Sequence, residues 1–116
     1  MASAYVVNLN IDTNTSFSQS FNLANDNNAP LNLNNYNIKS QLRKHPQSTS
    51  YVNFIATAIS PASQGVISIK LDPQSTNNLK PGRYMYDVII ENVSTNEKIK
   101  VVQGSVIVSN SITRDS

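Results

Sequence analysis

The stretch Tyr84-Met85-Tyr86-Asp87-Val88-Ile89-Ile90-Glu91 decides the fold class of this chain. Successive side chains of an extended segment point to opposite faces, so one face carries the tyrosines, Val88 and Ile90, and the other carries Met85, Asp87, Ile89 and Glu91. This alternation predicts a β-strand with one buried face. The following segment, Asn92 to Asn96, predicts a turn into another strand.

Six further segments show the same alternation and are bounded by turn residues, which predicts seven short strands. They span residues 5–11, 17–23, 36–42, 52–58, 67–71 and 99–108. Residues 12–15 predict a hairpin or a corner between the first two strands, and residues 24–35 are too polar for anything but a long loop. Gly104 predicts a β-bulge in the last strand. Asp72 followed by Pro73 predicts a single helical turn.

These segments predict an all-β protein, a seven-stranded antiparallel immunoglobulin-like β-sandwich. A small closed barrel is the rival architecture. The sandwich is favoured by Leu79, Gly82 and Tyr84, because a bend before an aromatic residue is typical of a tyrosine corner, in which a buried phenol bonds to upstream backbone. A length of 116 residues predicts one domain, 1–116, with an ordered core over about residues 4–109.

The composition is polar but weakly charged, and it excludes several classes of protein. Charged residues make up 14% of the chain, whereas there are seventeen Asn and sixteen Ser. No run approaches the roughly 18 apolar residues of a membrane span, and no secretory leader is recognisable. The net charge of +2 is too small for a nucleic-acid binder. With no Cys and one His, we expect no bound metal and no cofactor.

Candidate catalytic and metal-binding residues all have a simpler explanation. His45 lacks a second His or a Cys to share a metal, and we expect it in a solvated loop. Asp12, Asn14 and Ser16 have the spacing that opens a calcium loop, but the later Gly and Glu of such a loop are missing. Asp87 and Glu91 would lie about 13 Å apart along one strand, too far for a glycosidase pair. We therefore expect no enzymatic activity.

The outward face of the sheet that contains residues 84–91 is the candidate interaction surface. Met85 and Ile89 point out of the core, joined by Val102 or Ile107 of the next strand. Exposed apolar side chains with a charged rim are typical of partner-binding surfaces. The predicted interface residues are Lys39, Gln41, Arg43, Met85, Asp87 and Ile89. An ion pair between Arg43 and Asp87 is predicted within it, and polar arms at residues 1–4 and 109–116 are the alternative docking elements.

Several motifs together resemble a family of phage proteins. They are Gln41-Leu42-Arg43, Gly65 to Leu71, Leu79-x-x-Gly82-x-Tyr84-x-Tyr86-Asp87-Val88, Val102-x-Gly104-x-Val106-x-Val108 and Ile112-Thr113-Arg114. The sequence resembles the immunoglobulin-like N-terminal domain of the baseplate upper protein of tailed phages over nearly its whole length. In that family the domain is followed by helices that trimerise and carry a receptor-binding protein, whereas this sequence ends at Ser116.

The resemblance implies a non-enzymatic virion component that docks on other phage structural proteins. We expect a free-standing adaptor or decoration subunit of the tail, baseplate or neck, present in many copies and made in the host cytoplasm. A capsid-surface cement protein is one alternative. A carbohydrate-binding adhesion module is another, although of the five tyrosines only Tyr51 is expected to be exposed.

Overall fold

The computed structural model describes residues 5–24, 27–45 and 47–112. Within these ranges the chain forms nine strands, one short α-helix and one 3₁₀ turn. The strands are β1 Tyr5–Val6, β2 Leu9–Asp12, β3 Phe17–Asn22, β4 Tyr36–Arg43, β5 Tyr51–Asn53, β6 Ile55–Ala58, β7 Val66–Leu71, β8 Gly82–Asn92 and β9 Lys98–Ser109. The 3₁₀ turn is Ala62–Gln64, and the helix α1 is Pro73–Asn77, capped by the carboxylate of Asp72 on the Ser75 amide.

Two sheets pack face to face, as the alternating sequence predicts. The larger sheet has six strands in the order β1-β9-β8-β4-β5, with β2 also paired to β9, and the smaller sheet has the order β3-β7-β6. Their inner faces interdigitate around side chains that are fully excluded from solvent. These include Ile11, Leu42, Ile67, Ile69, Val88, Ile90, Val102 and Val106. The β-sandwich is therefore observed.

The predicted strand number and the all-antiparallel pairing are wrong. All seven predicted segments contain strands, but two of them are divided. The first is interrupted at Val7 and Asn8, giving β1 and β2, and the fourth passes from the larger to the smaller sheet at Phe54, giving β5 and β6. Because β1 and β2 pair with β9 in parallel, the larger sheet is mixed. Residues 12–15 consequently form a corner between the sheets, and the hairpin alternative does not occur.

The bulge in the last strand is also displaced from its predicted position. Pairing between β8 and β9 shifts register where Val88 lies opposite Val102 and Ile89 lies opposite Lys100, so the extra residue is Val101. Gly104 remains in register opposite Tyr86. The absence of a side chain at Gly104 lets the backbone after β1 approach closely, because a Cβ atom added there would lie 2.1 Å from the Val7 carbonyl oxygen.

Hydrogen bonds hold the C-terminal segment against the domain as far as Ser111. The Thr13 amide donates to the carbonyl of Ser109, and the Ser111 amide donates to the Thr13 hydroxyl at 3.1 Å. The Ser111 hydroxyl also donates to the Thr13 carbonyl. The prediction of a free arm is therefore wrong for residues 109–111. Residues 1–4 and 113–116 lie outside the described residues.

Candidate interaction face

The six predicted interface residues all lie on the outer face of the six-stranded sheet, which we call the docking face. Strand β8 is central in this sheet, and its alternation buries Tyr86, Val88 and Ile90 and turns Met85, Asp87 and Ile89 outward. Strand β4 pairs with it in antiparallel register. Lys39 lies opposite Ile89, Gln41 opposite Asp87 and Arg43 opposite Met85. The ladder thereby brings the predicted residues into two adjacent rows.

Two adjoining depressions occupy the docking face. The larger has a volume of about 590 Å³ and includes Gln41, Arg43, Met85, Asp87 and Ile89 in its lining. The smaller, of about 170 Å³, is lined by Lys39 and shares Gln41, Asp87 and Ile89 with the first. Each predicted residue therefore lines at least one depression. The larger depression combines apolar side chains with a few polar groups, as recognition sites usually do.

Side-chain hydrogen bonds hold the β4 wall of the larger depression in place. The Arg43 guanidinium donates to the Gln41 side-chain oxygen at 2.9 Å and to the carbonyl of Ser48, and the Gln41 amide donates to Asn53 at 2.8 Å. The same guanidinium lies 4.6 Å from the centre of the Tyr51 ring, in cation–π geometry. The wall is thus preorganised, which lowers the entropy lost when a partner binds.

The Arg43–Asp87 ion pair predicted from the sequence is not formed between these two described residues. The β4–β8 register places Met85, not Asp87, opposite Arg43. The Asp87 carboxylate instead lies 3.9 Å from the ammonium of Lys100, on β9. Lys100 also donates to the Gln103 side chain at 3.5 Å, so the opposite wall carries its own polar cluster.

The docking face holds most of the positive charge of the chain. Among the residues that the structure describes, its outward side chains include five basic ones, Lys39, Arg43, Arg83, Lys98 and Lys100, and three acidic ones, Asp12, Asp87 and Glu91. The face therefore carries a net charge of +2, which equals the net charge of the whole sequence. The charges of the rest of the chain accordingly cancel. An acidic surface on a partner would complement this face.

Exposed apolar side chains accompany the charges. Met85 is 46% exposed, Ile107 is 41% exposed and Val6, at the rim beside Gln103, is 69% exposed. Of the two neighbours suggested by the sequence, Ile107 is therefore the correct one. Val102 is completely buried, because the bulge at Val101 turns it toward the core.

A hydrogen bond from Tyr86 connects the floor of the larger depression with the wall formed by β1. Its ring is buried and its hydroxyl donates to the Val7 carbonyl at 2.7 Å. Burial raises the pKa of this phenol to about 12, because the phenolate would lose its hydration. The bond anchors the short strand β1 and with it Val6. The wall on this side therefore depends on one buried hydroxyl and on the absence of a side chain at Gly104.

The hydrogen bond of the predicted tyrosine corner is present in the structure. The Tyr84 hydroxyl donates to the carbonyl of Lys80 at 2.8 Å, four residues upstream. Leu79 is buried, and Gly82 has φ = 145°, a backbone conformation that disfavours other residues. Tyr84 itself is only partly buried, with the Lys44 ammonium 4.8 Å above its ring, so the prediction that it is buried is wrong.

The remaining candidate residues do not form a chemical site in the described part of the chain. No group of three or more His, Asp and Glu side chains there could hold a metal ion. His45 is exposed, and its carbonyl accepts a bond from the Ser48 amide. No helix in the described ranges combines the length and the apolar character that crossing a membrane requires.

Sequence reasoning missed several residues of the docking face. Val6, Lys100 and Gln103 line the larger depression, and Tyr51 and Asn53 extend its β4 wall. Lys100 could have been found, because the inward pattern of β9 changes phase between Val101 and Val102, which indicates the bulge. Nothing in the sequence indicated that Val6 belongs to this face, because alternation along a strand does not reveal which other strand lies beside it.

Comparison with known proteins shows the fold. No protein-family model matches the sequence, and no curated protein sequence matches it. Among solved structures, the N-terminal domain of ORF48 of phage TP901-1 is similar with a TM-score of 0.53 at 11% identity, covering 93% of this chain and 99% of that one. Listeria monocytogenes InlP has a TM-score of 0.48 at 13% identity over 89% of this chain. A family 123 glycoside hydrolase from Clostridium perfringens has 0.42 at 15% identity over 95%.

The chain covers different shares of the lengths of these three proteins. The chain spans about a quarter of the other two proteins, 26% of InlP and 24% of the hydrolase, but nearly all of the phage domain. The similarity to the phage domain shows a shared β-sandwich fold. A shared fold of this sort does not by itself assign a function.

Proposed function

We propose that the protein is a non-enzymatic structural component of a bacteriophage particle, an adaptor or decoration subunit that binds other phage proteins through the docking face. The observation that carries the proposal is the similarity to the phage TP901-1 domain, because it covers almost the whole of both chains. The phage-like motifs at residues 79–88 and 102–108 support it from the sequence. The order of strands in the two sheets supports an immunoglobulin-like sandwich, a type often used as a binding module.

The chemistry of the docking face supports binding to protein. Apolar Met85 and Ile89 lie within a charged rim, and a partner that covers them gains hydrophobic burial while its acidic groups meet the positive walls. In a virion, repeated copies on a symmetric lattice add modest contacts through avidity. Tail, baseplate and neck are the proposed locations, with the capsid surface as the alternative.

Carbohydrate binding is the second candidate, favoured by the exposure of Tyr51, which is 50% solvent-accessible at the rim of the docking face. Glycan sites commonly use an aromatic ring as a stacking platform. However, the guanidinium of Arg43 already covers one face of this ring. Protein docking is consequently the better-supported function.

Mass spectrometry of purified particles tests the proposal. Phage particles would be prepared from the bacteria that produce this chain, and their proteins would be quantified relative to the major capsid protein. We expect the chain in the particles in many copies, in a fixed ratio that survives gradient purification. Its absence from particles, or its recovery only from the bacterial surface with glycan binding, would contradict the proposal.

A further inference from the structure

The three-stranded sheet has a free edge at strand β3, on a different sheet from the docking face. Strand β3 is six residues long and is paired on one side only, with β7. The other edges in the described ranges are shorter, with four residues in β6 and three in β5, or are interrupted between β1 and β2. Edge strands are usually protected by charge, Pro or a bulge. Strand β3 has no charged residue and no Pro.

The backbone groups of β3 that do not bond to β7 can be identified from the ladder. The Leu23 amide donates to the carbonyl of Gly65, its partner in the antiparallel register, at 2.8 Å. Because hydrogen-bonded pairs alternate along such a ladder, Phe21, Gln19 and Phe17 also bond to β7, and Ser18 and Ser20 direct their amide and carbonyl groups away from it. The Ser20 carbonyl accordingly accepts a bond from the Gln19 side chain.

The sequence of this edge is symmetric about Gln19. It runs Phe17-Ser18-Gln19-Ser20-Phe21, so it has the same order in both directions. An antiparallel copy related by a two-fold axis at Gln19 would bring Ser18 opposite Ser20 of the second copy and Phe17 opposite its Phe21. The outward-directed groups of Ser18 and Ser20 then fall in hydrogen-bonded positions, which is the arrangement that an antiparallel ladder requires.

From this match we infer that β3 is a self-association site, whose occupant is β3 of a second copy of this chain. The two three-stranded sheets join into one continuous sheet of six strands. Phe–Phe pairs flank the axis on the inner side and Ser–Ser pairs lie on the outer side, both of which are favourable cross-strand neighbours. No like charges face each other. The contact is isologous, as in most homodimers, and it is small, so the association is weak.

Charge substitutions at the two serines test both the site and its register. Both side chains are exposed on the outer face, so the variants retain the core. The double variant Ser18→Glu with Ser20→Glu places Glu opposite Glu on both sides of the axis. The matched variant Ser18→Glu with Ser20→Lys places Glu opposite Lys instead. In both variants position 18, which faces Lys70 of the same chain, carries Glu. We expect the first to weaken dimerisation at least about tenfold and the second to preserve or strengthen it.

Sedimentation equilibrium over about a hundredfold range of protein concentration gives the dissociation constants, starting from the monomer mass of 12.7 kDa. Amide hydrogen exchange of the wild-type chain gives an independent readout: Ser18 and Ser20 become protected as the concentration rises, while Gln19 is protected throughout. A wild-type chain that stays monomeric at the highest concentration overturns the inference. Equal dimerisation of the two variants, or a dimer in which Ser18 and Ser20 stay unprotected, overturns it too.

Discussion

The six-stranded and the three-stranded sheet have inner faces of the same kind but outer faces of different chemistry. Both inner faces consist mainly of aliphatic and aromatic side chains, such as Val88 and Ile90 in one sheet and Ile67 and Ile69 in the other. The docking face of the larger sheet has two depressions and carries a net charge of +2. The outer face of the smaller sheet exposes the hydroxyl side chains of Ser18, Ser20 and Thr57 together with Ile55, and its one charged residue in the ladder is Lys70.

The two sheets also differ in how their strands are held together. The smaller sheet is a regular antiparallel ladder. The larger one needs particular contacts, namely the close approach of Val7 to Gly104, the buried Tyr86 hydroxyl and the Tyr84 corner. These contacts shape the depressions, so the form of the docking face depends on residues behind it. Substitutions at these positions should therefore have larger effects than matched changes in the smaller sheet.

The largest effect on stability is expected for Gly104→Ala. The new Cβ atom would lie 2.1 Å from the oxygen and 2.8 Å from the carbon of the Val7 carbonyl, so β1 must move away. Overpacking together with loss of the Tyr86 bond should cost about 2–4 kcal/mol. Denaturant unfolding would measure it, with Ser20→Ala on the smaller sheet as the control, expected within about 0.5 kcal/mol. Equal stability of the two variants would mean that the close approach is unimportant.

A smaller effect is expected at high pH. Burial raises the pKa of Tyr86 to about 12, above its value near 10 in the unfolded chain, so the unfolded state loses its proton first. Stability should therefore be fully retained below about pH 10 and should fall by up to about 2 kcal/mol as the pH rises toward 12. Unfolding free energies between these pH values would show the decline. In Tyr86→Phe this component should be missing, and an unchanged slope would assign the decline to other groups.

The smallest of these effects is expected for Tyr84→Phe. The hydroxyl that bonds to Lys80 lies at the surface, so its loss should cost about 0.5–1 kcal/mol, in the lower part of the range for one hydrogen bond. The matched change Thr57→Val removes an exposed hydroxyl from the smaller sheet and should be nearly neutral. A denaturation midpoint that Tyr84→Phe leaves unchanged would remove the corner from the account of sheet stability.

The inward and outward positions could be predicted from the sequence because alternation along a strand directly reports burial. This is why Met85 and Ile89 were correctly placed on the outer face. Strand partners could not be predicted in the same way. The parallel pairing of β1 and β2 with β9 depends on contacts of residues about 97 positions apart in the chain, such as Asn8 with Ser105, and short-range periodicity carries no information about them.

The predicted ion pair illustrates the same limit. Arg43 and Asp87 were correctly placed on adjacent strands and on one face. The strand register, however, puts Arg43 opposite Met85, two residues before Asp87, so the two charged side chains are not direct neighbours. Lys100 reaches Asp87 instead, from the other side of β8. The bulge that positions it could have been located, because the inward residues of β9 are odd-numbered up to Val101 and even-numbered from Val102 onward.

A comparison of Ile89→Arg with Thr57→Arg would test whether the docking face binds partners in the particle. Both substitutions add the same charge to an outward position, one on each sheet, and both should leave the isolated domain folded by circular dichroism. Quantitative incorporation into purified particles is the measurement. We expect Ile89→Arg to be excluded from particles, because an unpaired charge buried at an interface costs several kcal/mol, and we expect Thr57→Arg to be incorporated normally. Normal incorporation of Ile89→Arg would contradict binding through the docking face.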